Sequence, residues 1–226
     1  MKFFKPLFLA LLIFSCSNKD KGRWQQHVSY KMVIDVDAES RSYVGTQELV
    51  YTNNSPDTIS RVFYHLYFNA FKPGSEMQVR ASEINDDDRS ISKKILSLDS
   101  KDYGDVRVLE LLQDGAALDI KSQETILEAG LKKPLLPGEK TTLSMRFKVN
   151  VPQQVRRSGK DSEDGIAFSM AQWYPKLCEY DRQGWHANAY IGREFFGVWG
   201  DFDVTINIDK KYTCLLYTSD AADELR

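Results

Sequence analysis

Polar and aromatic residues alternate along positions 165–203, and this segment is the first candidate for chemistry. It contains ten aromatic residues in 39 positions. Hydrogen-bonding side chains lie between the rings, as in Gln172-Trp173-Tyr174 and Trp185-His186. Amphipathic rings beside polar groups suit a ligand pocket or a partner surface. They also suit the packed core of a β-sandwich, so the pattern by itself favours core packing and leaves a site as the alternative.

The histidines are spaced too widely for a known catalytic pattern. His27, His65 and His186 include no H-E-x-x-H pair, in which two histidines one helical turn apart would hold zinc. We therefore expect three hydrogen-bonded structural histidines and no metal site in this sequence. A G-x-S-x-G elbow, a phosphate-binding glycine loop and a dinucleotide fingerprint are also missing from the sequence.

Three further groups of reactive residues have simpler interpretations. The acidic run at residues 86–88 lacks the spaced ligands of a calcium loop and is expected to be a solvated turn. Cys178 has no neighbouring ligand and is expected to be a buried thiol. The basic run at residues 156–160 (RRSGK) is expected to be an exposed loop, with contact to a substrate carboxylate as the alternative.

The first residues of the chain predict export. Residues 1–15 combine an early basic pair, Lys2 and Lys5, with a short apolar run at residues 7–14, which is typical of a secretory signal. Residues 13–16 (IFSC) resemble a bacterial lipobox, which predicts lipidation of Cys16; an ordinary signal peptide with an incidental cysteine is the alternative. Residues 16–23 would then be a polar tether. We expect a protein that is secreted across the inner membrane and lipid-anchored, in the periplasm or at the outer membrane.

Strands must position these residues, because the dominant hydrophobic period is two. Apolar and polar residues alternate at residues 28–36, 143–151 and 202–208, and more briefly at 166–170. Residues 62–68 (VFYHLYF) are apolar on both faces, which predicts a strand covered on two sides. The chain is therefore predicted to be all-β, one mostly antiparallel sandwich-like domain.

Turn residues and helix candidates complete this organisation. Asp114-Gly115 separates two apolar runs and predicts a hairpin. Residues 74–84 and 90–96 are the short segments that could be helical.

The composition limits the class of partner. The 226 residues include 30 Lys+Arg and 32 Asp+Glu, for a formal charge of −2, so there is no electrostatic basis for binding nucleic acid. With 42% hydrophobic residues the chain can build a core, and three cysteines are too few for a disulfide scaffold.

Long runs of the sequence resemble a known family. The run DGIAFSMAQWYPKLCEYDRQGWHANAYIGREFFGVWGDFDVTINID, with LVYTNNSPDTISRVFYHLYFNAFKPGS and LPGEKTTLSMRFKVNVP, is similar to the N-terminal domain of aminopeptidase N-family zinc metallopeptidases (gluzincins), especially Bacteroidetes members. The resemblance extends over residues 24–212. It implies a saddle-shaped β-domain that lines the substrate cleft of a separate catalytic domain, which holds the zinc.

The same resemblance implies two site residues. Gln172, in SMAQWYP, occupies the place of a polar residue that contacts the free amino group of the peptide substrate, and Tyr174 is expected to line the same wall. A carboxamide oxygen can accept hydrogen bonds from an ammonium group. If residues 166, 168 and 170 point inward, Gln172 shares their face and is either a site residue or a hydrogen-bonded core amide.

The last residues suggest a reason why the sequence contains no zinc motif. Residues 213–226 break the strand pattern and resemble translated sequencing-adapter read-through; a natural tail is the alternative. We expect a gene cut before its catalytic domain, and therefore a fragment without activity of its own. The partners implied are that catalytic domain, the peptide N-terminus and, through Cys16, a membrane. A surface lipoprotein that binds glycan or peptide is the alternative function.

Overall fold

The structure of the protein is a computed structural model that describes residues 23–83, 88–192 and 196–215, without the side chains of residues 88 and 89. The segments assigned to the signal, to Cys16 and to most of the tail lie outside these residues. The strands are β1 (His27–Asp37), β2 (Ser42–Thr52), β3 (Ile59–His65), β4 (Asp105–Gln113), β5 (Ala116–Ala117), β6 (Ile120–Gln123), β7 (Ile126–Leu135), β8 (Lys140–Asn150), β9 (Gly159–Lys160), β10 (Phe168–Ser169), β11 (Lys176–Leu177), β12 (Tyr180–Asp181), β13 (Gly184–Trp185) and β14 (Gly200–Asn207). The helices are α1 (Glu76–Glu83) and α2 (Asp88–Leu96), with 3₁₀ turns at Tyr67–Ala70 and Ser100–Asp102.

A six-stranded sheet with the order β14-β1-β2-β8-β4-β5 forms the larger layer. Its long strands bury every second side chain, as in β8, where Leu143, Met145, Phe147 and Val149 face the core. This arrangement follows from the alternation of apolar residues, since successive side chains of a strand point to opposite faces. The predicted all-β, mostly antiparallel class is confirmed.

One pair of strands departs from the antiparallel pattern. β14 lies parallel to β1, with Val28 opposite Gly200 and Asp35 opposite Asn207. A parallel neighbour cannot follow through a tight hairpin, and here the whole chain between β1 and β14 forms the crossover. The alternation at residues 202–208 predicts the strand but not its partner or its direction.

A four-stranded sheet with the order β11-β3-β7-β6 forms the second layer. β3 lies inside this sheet, and Val62, Tyr64 and His65 are buried. The strand predicted at residues 62–68 is therefore correct for its first part. The chain then leaves the sheet, and Tyr67–Ala70 forms a buried 3₁₀ turn.

The local predictions at turns and helices are confirmed. Asp114 and Gly115 join β4 to β5 with φ angles of 48° and 87°, the positive values that a two-residue type I′ hairpin turn requires. Helices α1 and α2 lie within one residue or two of the predicted segments.

The strand expected at residues 166–170 is wrong in its extent and its orientation. Phe168–Ser169 alone forms a strand there, paired with Gly159–Lys160. Ile166 is 54% exposed and Met170 is 36% exposed, so neither is a core residue. Across this short hairpin, the main-chain N–H of Asp161 donates to the Ala167 carbonyl, and that of Ser162 donates to the Ile166 carbonyl. The loop therefore lies on the surface instead of between the sheets.

Candidate functional site

The segment at residues 173–177 is held between the two sheets by its main chain. Lys176–Leu177 pairs with β3 as an edge strand of the smaller sheet. Three side chains of the larger sheet each bind one further main-chain group of this segment. The Tyr43 hydroxyl donates to the Trp173 carbonyl, and the Gln47 side-chain amide donates to the Pro175 carbonyl. The Tyr30 hydroxyl accepts from the Leu177 N–H. These contacts satisfy main-chain groups that would otherwise be costly to bury, and they hold the chain that directly follows Gln172.

Gln172 lies between two anchored residues. On its N-terminal side, the Ala171 N–H donates to the Ser158 hydroxyl at 2.7 Å, and that hydroxyl donates to the Ala171 carbonyl at 2.8 Å. On its other side, Trp173 is held by Tyr43. Between these anchors the backbone of Gln172 has a φ of 56°, a left-handed conformation that is uncommon for glutamine. Such a conformation persists only where the surroundings impose it, and functional sites are a frequent place for it.

Gln172 lines a cavity of about 90 Å³. It is half-buried, and it forms no hydrogen bond with any other part of the described chain. The cavity wall also contains aromatic rings, basic groups and small residues: Tyr67, Phe68, Phe71, Arg156, Arg157, Ser158, Ala171 and Tyr190. Of the two interpretations of Gln172, a hydrogen-bonded core amide does not fit this environment, whereas a carboxamide at a cavity does.

The two basic residues of this wall belong to the segment expected to be an exposed loop. That prediction is wrong for its second half, because Ser158, Gly159 and Lys160 are buried and Lys160 pairs with Asp102 at 2.9 Å. The burial follows from the close approach of two chain segments, since the Lys160 N–H donates to the Pro152 carbonyl.

Arg156 and Arg157 remain at the cavity. Arg156 is half-buried and donates to the Gly192 carbonyl at 2.9 Å, while Arg157 is exposed. Neither Asp nor Glu is among the described residues that line this cavity. The sequence contained the signal for this arrangement in its adjacent arginines, but not their position next to Gln172.

Tyr174 lies away from this cavity wall. Its ring packs edge-on against Tyr30 and Trp173, with centroid distances of 5.5 and 5.1 Å, and against Phe202 at 6.2 Å. Burial raises the pKa of its hydroxyl well above the usual value. The structure therefore does not bring Tyr174 and Gln172 to the same cavity, and a substrate contact for Tyr174 stays a prediction.

Most of the remaining aromatic segment packs against the core, as its composition favoured. Trp173 and Trp185 are partly buried against it, and Trp185 contacts the rings of Phe63 and Tyr180 at 5.6 and 5.1 Å. Three described rings of the segment are exceptions: Trp199, Phe202 and Phe196 are 76%, 49% and 39% exposed. A glycan- or peptide-binding surface, the alternative function, would have to depend on such exposed rings.

His65 does not have the hydrogen-bonded environment expected of it. It is 5% exposed and stacks on Tyr67 with a centroid distance of 4.9 Å. Burial, and next the positive charge of Lys176, lower the pKa of its imidazole to about 4. The His186 backbone lies close and acts in the opposite direction, although no well-aligned hydrogen bond reaches either ring nitrogen from the described residues.

The other two histidines contact carboxylates. His186 stacks on Phe196 at 4.0 Å, and its Nε2 lies 2.8 Å from an Asp181 oxygen, an ion-pair distance without hydrogen-bond alignment. His27 is exposed and lies 3.5 Å from Asp201. None of the three is one of a metal-binding set, since the described residues contain no group of three or more His, Cys, Asp or Glu side chains that could hold an ion.

The predictions for Cys178, Cys16 and the acidic run at residues 86–88 can now be compared with the described residues. Cys178 is a buried free thiol, as predicted, and burial raises its pKa well above the usual value. Cys16 lies outside the described residues, as do residues 86 and 87 of the acidic run. In the described part of the chain, no helix has the length and apolar character needed to cross a membrane.

Comparisons with known proteins assign no family. No protein-family model matches the sequence, and no curated protein matches it. Among solved structures, similar chains include a mutant two-domain M1 zinc metallopeptidase bound to L-tryptophan, with 18% identity and a TM-score of 0.40. A mutant M1 zinc metallopeptidase from Deinococcus radiodurans bound to a Tyr-Ser-Ala substrate has 17% identity and also a TM-score of 0.40. The unmutated enzyme from that organism has 16% identity and a TM-score of 0.38.

These alignments are partial. They cover 67%, 66% and 66% of this chain and 28%, 26% and 26% of the respective metallopeptidase chains. The chain therefore spans between a quarter and a third of the length of the structures it resembles.

Proposed function

We propose that this chain is the non-catalytic N-terminal β-domain of a zinc-dependent aminopeptidase, and that it lines the cleft in which the enzyme binds the free N-terminus of a peptide. The observation that carries the proposal is Gln172. This residue lines a cavity, its carboxamide has no partner elsewhere in the described chain, and its backbone is left-handed between two anchored residues. The sequence resemblance over residues 24–212 implies the same role for this glutamine.

The chemistry of the carboxamide suits this role. Its oxygen accepts a hydrogen bond from the substrate's ammonium group, whose charge would otherwise be partly desolvated without a partner. Because its neighbours Ala171 and Trp173 are held by Ser158 and Tyr43, the backbone that carries this group is already positioned before a ligand arrives. The role proposed is binding and orientation of the substrate, with no proton transferred by this domain.

The zinc is proposed to belong to a catalytic domain. The described residues contain no group of side chains that fits a zinc ion. The partners proposed are that catalytic domain, a peptide substrate and, through lipidated Cys16, a membrane facing the periplasm or the outer surface. Mass spectrometry of the mature protein would detect the lipid on Cys16.

The test uses the complete enzyme, obtained by reading the genomic frame beyond the Tyr212 codon. We expect one equivalent of zinc and hydrolysis of aminoacyl reporters in that enzyme, and neither in the 226-residue chain. Replacing Gln172 by Leu should lower kcat/KM about tenfold or more, mainly through KM, because one hydrogen bond to a charged group is lost.

The matched control is Gln183→Leu, which changes a surface glutamine in the turn between β12 and β13. Its kinetics should equal those of the unmodified enzyme. A complete enzyme without peptidase activity would contradict the proposed family, and an unchanged KM in Gln172→Leu would contradict the role of this residue.

A further inference from the structure

The guanidinium of Arg41 connects three segments that are far apart in the sequence. Arg41 lies in the turn between β1 and β2, and its Nη1 donates to the Ala38 carbonyl of the same turn at 2.8 Å. Its Nε and Nη2 donate to the two carboxylate oxygens of Asp161 at 3.3 and 2.6 Å. Its Nη1 also donates to the Tyr212 hydroxyl at 3.1 Å. Because the guanidinium is planar and rigid, these acceptors are held in fixed directions relative to one another.

Two aromatic rings complete this contact. The Arg41 guanidinium lies over the ring of Phe168, 5.2 Å from its centroid, and the Tyr212 ring packs edge-on against the same ring at 6.0 Å. Asp161 directly follows β9 and Phe168 belongs to β10, so Arg41 contacts both sides of one hairpin. A bidentate carboxylate and a ring beneath the cation both favour a single orientation of the guanidinium.

The base of this hairpin lies next to Gln172. Ser158 directly precedes β9, and its hydroxyl bonds the main chain of Ala171 at 2.7 and 2.8 Å. The Gln153 side chain holds the same hairpin from a third segment, since it donates to the Asp161 carbonyl at 2.8 Å. Gln172 is the first residue beyond the closed base, so we expect a shift of the hairpin to move its backbone as well.

Tyr212 lies in the segment that follows the last described strand. β14 ends at Asn207, and a turn comes next in which the Tyr212 N–H donates to the Asp209 carbonyl at 3.0 Å. This turn brings the Tyr212 side chain to Arg41 and the hairpin. Arg41 therefore joins the chain beyond β14 to the hairpin that precedes Gln172.

We propose that Arg41 is a positioning residue, which fixes the chain at Tyr212 relative to the hairpin beside Gln172. The inference rests on the proposed function, in which a catalytic domain follows residue 212 and Gln172 binds the amino group of the substrate. The carboxamide contributes to binding only if it lies at hydrogen-bond distance from a substrate held by that domain. A displacement of about 1 Å between the two is enough to weaken such a contact severely.

The first test is amide hydrogen exchange, measured by NMR on the 226-residue chain with Arg41→Met. Methionine keeps an unbranched side chain and removes the guanidinium. We expect the amides of Asp161, Ser162 and Tyr212, which are hydrogen-bonded in the hairpin and in the last turn, to exchange about tenfold faster. The amide of Met145, in the interior strand β8, should keep its rate, because the opening is local.

A matched control and a second variant assign the effect to this contact. Arg61→Met removes a different surface ion pair, that with Glu128 at 2.9 Å, and should leave the exchange of all these amides unchanged. Tyr212→Phe leaves the turn between β1 and β2 intact and retains the ring on Phe168. It should accelerate exchange at Tyr212 alone, because Arg41 still binds the hairpin.

The second test is the steady-state kinetics of the complete enzyme. Arg41→Met and Tyr212→Phe should each raise KM about threefold to tenfold at nearly unchanged kcat, because binding by Gln172 is weakened. In a Gln172→Leu background neither change should raise KM further, since the contact that they position is already lost. A merely structural role would raise KM by the same factor in both backgrounds.

The outcomes separate this inference from the proposed function. Wild-type exchange at Asp161 and Ser162 in Arg41→Met, or equal acceleration there and at Met145, would overturn the inference. Equal effects of Arg41→Met on KM with and without Gln172 would overturn it as well. A complete enzyme that is inactive would instead refute the proposed function, and locally faster exchange in the 226-residue chain would still support the connection through Arg41.

Discussion

Protonation of His65 should make the fold acid-sensitive over a defined pH range. Its imidazole is buried, and its pKa is lowered to about 4 from the ordinary 6.5, first by burial and then by the charge of Lys176. Between these values the unfolded chain binds a proton that the folded chain does not, so the free energy of unfolding decreases as the pH falls. The stability that depends on neutral His65 is fully present above about pH 6.5 and is lost as the pH falls to about 4.

The size of the effect follows from the same two values. One pKa unit corresponds to about 1.4 kcal/mol, so the separation between 6.5 and about 4 corresponds to about 3 kcal/mol of lost stability at pH 4. That is a large part of the total stability of an ordinary domain.

The assay compares urea unfolding of the wild-type chain and His65→Phe at several pH values from 7.5 down to 4. Phenylalanine keeps a ring that can stack on Tyr67 and removes the titrating group. The stability of wild type relative to the variant should fall by about 3 kcal/mol across this range. The exposed His27→Gln variant is the control and should retain the acid sensitivity, because His65 is still present. Parallel pH profiles for wild type and His65→Phe, or an NMR titration of the His65 ring centred near 6.5, would refute the reasoning.

Two further substitutions test the packing that positions the site. Gly45→Ala should cost about 1–3 kcal/mol in chemical denaturation, because the added Cβ would overlap Cζ of the buried Phe147 ring. Gly130→Ala is the control: its added Cβ meets nothing within 4 Å, and it should change stability by less than about 0.5 kcal/mol. Equal costs for the two variants would contradict this account. Lys160→Met should cost about 3 kcal/mol by leaving the Asp102 carboxylate without its buried partner, and adding Asp102→Asn should recover much of that loss. No recovery in the double variant would mean that the ion pair is not the source of the cost.

The elements of the fold were largely predictable because their signals are local. Alternation with period two reports directly on a strand with one buried face, as at residues 143–151 in β8. Asp114-Gly115 predicts its hairpin because both residues tolerate positive φ. The same reasoning failed at residues 166–170, where a short alternating run sits in a surface hairpin, because periodicity says nothing about whether a second layer is present to bury it.

The candidate site was predictable only in part. The resemblance singled out Gln172, but it also placed Tyr174 on the same wall, and the structure puts that ring in an aromatic cluster with Tyr30 and Phe202. Adjacent arginines were visible at residues 156–157, where the sequence favoured an exposed loop and left contact with a substrate carboxylate as the alternative. At the cavity they lie next to the Ser158–Ala171 contact, which joins residues that no local pattern relates.

The sequence by itself determined the long alternating strands, the Asp114-Gly115 turn and the absence of an H-E-x-x-H pair, because each depends on the identity of residues close together in the chain. Only the tertiary structure decided the parallel pairing of β14 with β1, the lowered pKa of His65 and the cavity formed by Gln172, Arg156 and Tyr67. The physical reason is that burial, charge proximity and sheet order depend on groups far apart in sequence. Those groups come together only when the core has packed.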